Sequence, residues 1–148
     1  MRLNRGWIEA HIPHQGRMCL LDEVLLWEHD RIRCSSAGHR AADHPLRAHG
    51  RLGIACGIEI AAQSMAAHGA LTADASSRPL AGLLAGVRAV RMYAARLDDV
   101  QSDLICDAVR IAGDGGTALY EFELGCAQTP LLRGRATVIF DARGRLRP

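Results

Sequence analysis

Lysine is absent from this chain of 148 residues, in which all eighteen basic residues are arginines. The arginines are spread along the whole length and are nearly balanced by sixteen acidic residues, which leaves a formal net charge of +2. Proteins that bind nucleic acid concentrate positive charge on one face or in one segment. We therefore predict no nucleic-acid partner.

The chain also lacks any tract of proline, glycine or serine that would mark a linker between domains. Its hydrophobic content of 49% and charged content of 23% are ordinary for a globular protein. A chain of this size can bury roughly 70% of its unfolded surface in one core. We predict a single domain that spans residues 1–148.

Spacings that would bind a metal are missing as well. The cysteines form no CxxC pair and no His/Cys pattern suited to zinc, and an odd number of them cannot all pair internally. We expect reduced, buried thiols and neither a metal nor an organic cofactor. The five cysteines are Cys19, Cys34, Cys56, Cys106 and Cys126.

Two observations bear on location. The N-terminal sequence MRLNRGWIEAHIPH lacks the continuous apolar core of a signal peptide. The longest apolar stretch, Ile54 to Leu71, contains Glu59, Gln63 and His68, which argues against a transmembrane span. We expect a cytoplasmic protein without a membrane partner.

The stretch from Ile54 to Leu71 is the most informative part of the sequence. Small and apolar residues recur at helical spacing, and the opposite face also carries apolar side chains instead of charges. This pattern predicts a helix that is surrounded by protein on nearly all sides. Glu59 is its lone carboxylate, so it is either solvated on an exposed strip or retained for a reason.

Other segments are typical of strands and turns. A short helical turn is predicted within Ile8 to Gly16, a functional loop within Ala37 to Gly53, and a polar connection at Thr72 to Pro79. The predicted strands are Met18 to Trp27, Arg31 to Ser36, Leu80 to Arg96, Asp103 to Ala112, Ala118 to Leu124 and Leu131 to Phe140. The first two form a predicted hairpin, and Ala112 to Gly116 (AGDGG) predicts another.

This order predicts an α+β fold in which an antiparallel sheet wraps around one long central helix. Only the helix offers a second layer for the sheet. The sheet's other face and its edges are therefore predicted to meet a partner subunit, and a dimer is the simplest solution.

Several strings carry a family resemblance. Ile12 to Val24 reads IPHQGRMCLLDEV, Gly57 to Ala66 reads GIEIAAQSMA, and HPLRAHGRLG from His44 to Gly53 lies between them. They resemble the LPH-plus-LLxDxV segment, the helix motif with Glu followed by Gln, and the active-site loop of hotdog-fold 3-hydroxyacyl-(acyl carrier protein) dehydratases. The resemblance covers most of the chain and is closest to dehydratase-like subunits of aryl polyene and similar type II polyketide pathways.

The resemblance implies the hotdog fold and a dehydration in fatty acid or polyketide-type lipid biosynthesis. It implies that the substrate arrives on the phosphopantetheine of acyl carrier protein. Arginines such as Arg88, Arg91 and Arg96 are candidates to meet that acidic partner, and solvated strand faces would explain them equally well. It further implies that the catalytic histidine and carboxylate come from different subunits of a dimer. In this chain, however, Pro45 follows His44 directly and no proline precedes the helix.

The chemistry requires a base for the C2 proton of the thioester and an acid for the departing C3 hydroxyl. We assign His44 as the base and Glu59 as the group that orients or protonates the hydroxyl, with a pKa raised by burial. Gly53 and Gly57 are candidate oxyanion donors at the start of the helix, where a capping role would explain them equally well. Gln63 is expected to bind Glu59 or to satisfy buried backbone.

The remaining candidates are weaker. His49 is the alternative base, whereas His14 is expected to cap or pack the N-terminal turn and His68 to be structural. Cys56 is interpreted as a small core residue and not as a nucleophile. Two other functions stay open, namely a weakly active or non-catalytic hotdog subunit that stabilises an active dehydratase partner, and an acyl thioesterase. The sequence does not define the acyl chain length, its unsaturation or the number of subunits.

Overall fold

The protein was analysed as a computed structural model, which describes residues 2–73, 81–114 and 116–141. Within these residues, one antiparallel sheet has the strand order β1-β2-β3-β5-β6-β7-β4. The elements are β1 (Leu3–Asn4), α1 (Arg5–His11), β2 (Glu23–Glu28), β3 (Arg31–Ser36), α2 (Gly57–Thr72), β4 (Ala81–Met92), β5 (Leu104–Gly113), β6 (Thr117–Cys126) and β7 (Thr129–Asp141). The predicted α+β plan is confirmed.

Helix α2 is the central helix, and most of its residues are buried. Its small residues allow close contact with the sheet. A Cβ atom at Gly57 would lie 2.6 Å from Leu124 Cδ2 and 2.9 Å from Leu132 Cδ2, and one at Gly69 would overlap the ring of Phe140. The glycines therefore set how near the helix can approach the strands behind it.

The strands behind α2 alternate between an inner and an outer face, as the sequence pattern predicts. Inner side chains such as Tyr120 and Leu124 are fully buried in the core. The outer face of the central strands carries exposed ion pairs at 2.7, 3.3 and 3.0 Å, formed by Arg33–Asp107, Arg133–Glu123 and Arg135–Glu121. This face is charged and suits water better than a second apolar layer.

The edge strand β4 has a different surface. It pairs with β7 on one side and forms the end of the sheet in the described part of the chain. Leu83 is 50% exposed, Val87 38% and Met92 48%, and the next residue, Tyr93, is 50% exposed. Exposed apolar groups are therefore most numerous at this edge, although β5 also exposes Val109 and Ile111. The dimer expected from the sequence remains a prediction, and β4 is the surface on which it would form.

Several boundaries differ from the sequence-based expectation. Residues 18–22 precede β2 instead of belonging to it, because the Gln63 side chain pairs with the backbone of Met18 and Leu20. A short 3₁₀ turn at Ile54–Cys56 delays the start of α2 to Gly57. The helix also continues to Thr72. Residues 74–79 of the predicted polar connection and residue 80 of the next predicted strand lie outside the described residues.

Both predicted hairpins are present. β2 and β3 pair across the turn between Glu28 and Arg31, and β5 and β6 pair from Gly113 opposite Ala118. At the second turn, Asp114 Oδ1 accepts hydrogen bonds from the N–H groups of Gly116 and Thr117. Among the described helices, none has the length and apolar character needed to cross a bilayer.

Candidate active site

Glu59 lies in the first turn of α2 and contacts a histidine. Its Oε1 atom is 3.0 Å from His14 Nε2, and the two side chains are 33% and 27% exposed. Gln63, one turn further along α2, donates from Nε2 to the same oxygen at 3.1 Å. The carboxylate therefore lies beside an imidazole and an amide, both partly shielded from water.

The segment that carries His14 is held against α2 by other side chains. The Arg5 guanidinium donates to the carbonyls of Gly16 and Cys19, at 3.0 and 2.6 Å. The Gln63 amide donates to the Met18 carbonyl at 2.7 Å. These side chains satisfy backbone groups that lie outside any strand. The loop is therefore ordered without the backbone hydrogen bonds of a β-sheet. The imidazole of His14 is therefore positioned by the fold.

Glu59 and His14 line the same small cavity. It has a volume of about 180 Å³, and its other walls are the aliphatic side chains of Ala62, Leu83, Leu84 and Val138. Leu83 and Leu84 belong to the edge strand β4. An ionisable pair surrounded by aliphatic carbon is the usual composition of a small-molecule site, although such sites are commonly larger, at ~300 Å³ or more.

The pKa of Glu59 is lowered from its ordinary value of 4.5, first by the hydrogen bond from His14 and then by that from Gln63. Burial acts in the opposite direction but is outweighed. The expectation of a raised pKa was therefore wrong, because the sequence showed the apolar helix but not the two donors. Glu59 is a carboxylate at neutral pH, which suits positioning and hydrogen-bond acceptance but not proton donation.

The other ring nitrogen of His14 has different surroundings. Its Nδ1 atom is buried and has no hydrogen-bond partner among the described residues. With Nε2 directed at a carboxylate, Nε2 carries a proton in either charge state of the ring. Nδ1 is consequently the ring nitrogen that no described residue engages. The site thus contains one imidazole whose Nε2 contacts Glu59 and whose Nδ1 has no hydrogen-bond partner among the described residues.

His44 lies in a separate cavity of about 170 Å³, with Arg5, Arg17 and Leu20 among its lining residues. Its Nδ1 accepts a hydrogen bond of 3.1 Å from the N–H of Leu46. Burial, followed by the positive charge of Arg47, lowers the pKa of His44 from 6.5. Within one chain, Glu59 pairs with His14 and not with His44. The predicted pairing of His44 with Glu59 stays a prediction that requires a second subunit.

The other predicted site residues have the following positions. His49 is exposed at the tip of a turn and has a φ angle of 53°. Gly53 caps the 3₁₀ turn that leads into α2, and a Cβ atom added there would have nothing within 4 Å. The Gly57 N–H donates to Ile54 O within that turn, and Gly57 also packs against the sheet. The oxyanion role of the two glycines stays a prediction.

Gln63 combines both roles that the sequence suggested. Its amide binds Glu59, as described, and its Oε1 accepts from the Leu20 N–H at 2.8 Å. His68 is structural, as expected, because its Nδ1 lies 2.7 Å from the Tyr120 hydroxyl and its Nε2 lies 2.9 Å from the Glu28 carbonyl oxygen. The rings of His68 and Tyr120 are both buried.

The remaining sequence expectations concern thiols, metals and arginines. All five cysteines are free, and the described residues contain no group of His, Cys, Asp or Glu that could hold a metal. Burial raises the pKa of Cys106 to about 12, and it also raises the pKa of Cys56. Arg88 and Arg91 are exposed on β4, whereas Arg96 is paired with Asp98 at 3.0 Å.

His14 was missed as a site residue. It was expected to cap or pack the N-terminal turn because nothing local to it suggested chemistry. One signal was available, since His14 belongs to the IPH string that matches the LPH of the dehydratase family. The structure brings this string into contact with Glu59, which lies far from it in sequence.

Comparison with known proteins agrees with this architecture. Residues 7–143 match the family model described as ApeP-like, ApeP dehydratase. The chain is similar to the dehydratase heterocomplex ApeI:P from Xenorhabdus doucetiae, with a TM-score of 0.80 and 24% identity over 94% of this chain and 93% of that chain. A search of curated proteins finds no significant match.

Thioesterases share the fold. A mutant thioesterase from Pseudomonas aeruginosa is 14% identical over 94% of this chain and 96% of its own, with a TM-score of 0.67. A thioesterase from Haemophilus influenzae is 10% identical over 82% and 78%, with a TM-score of 0.61. Together, these likenesses establish the hotdog fold that the sequence resemblance implied.

Proposed function

The chain belongs to the ApeP-like dehydratase family, and from this premise we propose that it removes water from 3-hydroxyacyl thioesters carried on acyl carrier protein. The observation that carries the proposal is the contact of Glu59 with His14 at the wall of an aliphatic cavity. The product is a trans-2-enoyl thioester in fatty acid or polyketide-type lipid biosynthesis.

The reaction moves protons without net oxidation or reduction, so acid-base side chains are sufficient for it. A base removes the C2 proton, the C2–C3 double bond forms, and the C3 hydroxyl leaves as water after it gains a proton. In our proposal His44 is the base and reaches the cavity of Glu59 from a second subunit. Aliphatic walls at Ala62, Leu83 and Val138 suit the acyl chain.

The proposed partners follow from two surfaces. Exposed Arg88 and Arg91 on β4 suit the acidic surface of acyl carrier protein, which delivers the substrate on its phosphopantetheine arm. The apolar side chains of β4 suit a second hotdog subunit, either another copy of this chain or a different dehydratase. The structural relative ApeI:P is itself a dehydratase heterocomplex, which supports the second of these arrangements.

The test is turnover of a 3-hydroxyacyl-acyl carrier protein, followed by intact-protein mass spectrometry for the loss of water. We expect wild type to form the enoyl product and Glu59→Gln to form it at least about 100 times more slowly, because the carboxylate that orients the neighbouring acid-base groups is lost and such groups typically contribute 10²- to 10⁴-fold. Exposed Glu28→Gln is the matched control and is expected to keep the wild-type rate.

Three other outcomes contradict the proposal in different ways. Release of free thiol without enoyl product would indicate a thioesterase. Activity of a hotdog partner that rises equally with wild type and Glu59→Gln would indicate a non-catalytic stabilising subunit. Loss of water at the same rate in wild type and Glu59→Gln would remove Glu59 from the reaction.

A further inference from the structure

We propose that His14 is a catalytic residue, the acid that protonates the departing C3 hydroxyl from its Nδ1 atom. This inference rests on the proposed dehydration and assigns one of its steps. Its basis is the geometry of a single chain, in which His14 Nε2 lies 3.0 Å from Glu59 Oε1 and His14 Nδ1 is buried without a partner among the described residues.

Glu59 is a poor donor in this arrangement. It accepts hydrogen bonds from His14 and from Gln63, and both bonds favour its carboxylate form. A dehydration nevertheless needs a proton donor near the C3 hydroxyl, because hydroxide is a poor leaving group. His14 lines the same cavity and can supply that proton.

The protonated ring carries one proton on each nitrogen. Nε2–H stays on Glu59, which orients the ring, and Nδ1–H is the proton that can be transferred. In the step, the C2–H bond breaks and its proton passes to the base, the electron pair forms the C2–C3 double bond, and the C3–O bond breaks. The oxygen leaves as water with the proton from His14, whose ring becomes neutral and regains a proton from solvent.

A purely structural pair is the alternative, in which His14 ties its loop to α2. The substitution His14→Gln separates the two roles, because a glutamine amide can still donate to Glu59 but has no proton to transfer at neutral pH. His11→Gln is the matched control. His11 stacks on Trp7 within α1, with 4.1 Å between the ring centroids, and lies outside the cavity of Glu59.

The experiment compares two substrates on acyl carrier protein, a 3-hydroxyacyl chain and the corresponding 3-fluoroacyl chain. Fluoride leaves as an anion and needs far less help from an acid than hydroxide does, whereas removal of the C2 proton is common to both. We expect His14→Gln to lower kcat/KM about 10²- to 10⁴-fold on the hydroxy substrate and less than tenfold on the fluoro substrate. His11→Gln is expected to retain the wild-type rates on both.

Equal losses on the two substrates would overturn the acid assignment in favour of a structural role, and retention of activity on the hydroxy substrate would remove His14 from the reaction. If wild type eliminates neither water nor fluoride, the proposed function fails instead. A mixture of His14→Gln and Glu59→Gln chains provides a second test. Because the two residues act from the same chain, refolded mixed oligomers should stay inactive, and recovery of activity would contradict the assignment.

Discussion

Leu20 and Gln63 are joined by a buried hydrogen bond of 2.8 Å, in which the Leu20 N–H donates to Gln63 Oε1. The Gln63 amide nitrogen donates to both Met18 O and Glu59 Oε1, at 2.7 and 3.1 Å. One fully buried side chain therefore fixes the backbone that follows His14 and also the carboxylate that His14 contacts. Stability and site geometry depend on the same residue.

Gln63→Ala is predicted to lower the free energy of unfolding by about 2–4 kcal/mol, because it removes the partners of the buried Leu20 N–H and of the half-buried Met18 carbonyl. Urea denaturation followed by circular dichroism measures the change. Gln101→Ala is the control, since the Gln101 side chain is exposed and donates to the nearby Asp99 carbonyl. A loss below about 0.5 kcal/mol at position 63 would show that water replaces the amide at no cost.

The sequence predicted the sheet and helix well because their signals are local. Arg31 to Ser36 alternates as a strand should, and the apolar stretch around Ile60 and Met65 has helical spacing. The contact of His14 with Glu59 has no such local signal, because it depends on how a loop between α1 and β2 is held by Gln63 and Arg5. The direction of the Glu59 pKa shift was mispredicted for the same reason.

A pH-dependent loss of stability is predicted from His68. Burial lowers its pKa from 6.5, and the nearby positive charge of Arg110 acts in the same direction. The unfolded chain therefore binds a proton more readily than the folded one, so stability is complete above pH 6.5 and falls as the pH drops below that value. Unfolding free energies of wild type and His68→Gln, measured between pH 8 and about pH 5, isolate this contribution.

The difference between the two proteins should shrink as the pH falls, because His68→Gln has no proton to bind at this position. His44 also has a lowered pKa but is present in both proteins and cancels in the difference. A difference that stays constant with pH would mean that the folded state accepts a proton on His68. That result would contradict the lowered pKa that burial gives this ring, a lowering that outweighs the opposite effect of its bond to the Glu28 carbonyl.

Association is predicted to depend on strand β4. Val87→Asp and Met92→Asp place charges among the exposed apolar side chains of this edge and should lower the molar mass measured by light scattering to that of one chain. Ile111→Asp is the control, because Ile111 is 42% exposed on β5, away from that edge. An unchanged mass in both β4 variants, or dissociation by Ile111→Asp alone, would place the interface elsewhere.

The assignment of His44 is predicted to give recovery of activity between two inactive variants. His44 and Glu59 line different cavities of one chain, so they can act together only if His44 of one subunit reaches Glu59 of another.

His44→Ala and Glu59→Gln should each lose dehydration activity when purified alone. In mixed dimers formed by unfolding and refolding them together, one of the two sites combines an intact His44 with an intact Glu59. Dehydration by the mixture, measured as loss of water from the 3-hydroxyacyl substrate, should then be partly restored. A mixture as inactive as its components would mean that both residues act from the same chain or that His44 has no part in the reaction, and full activity of His44→Ala alone would establish the latter.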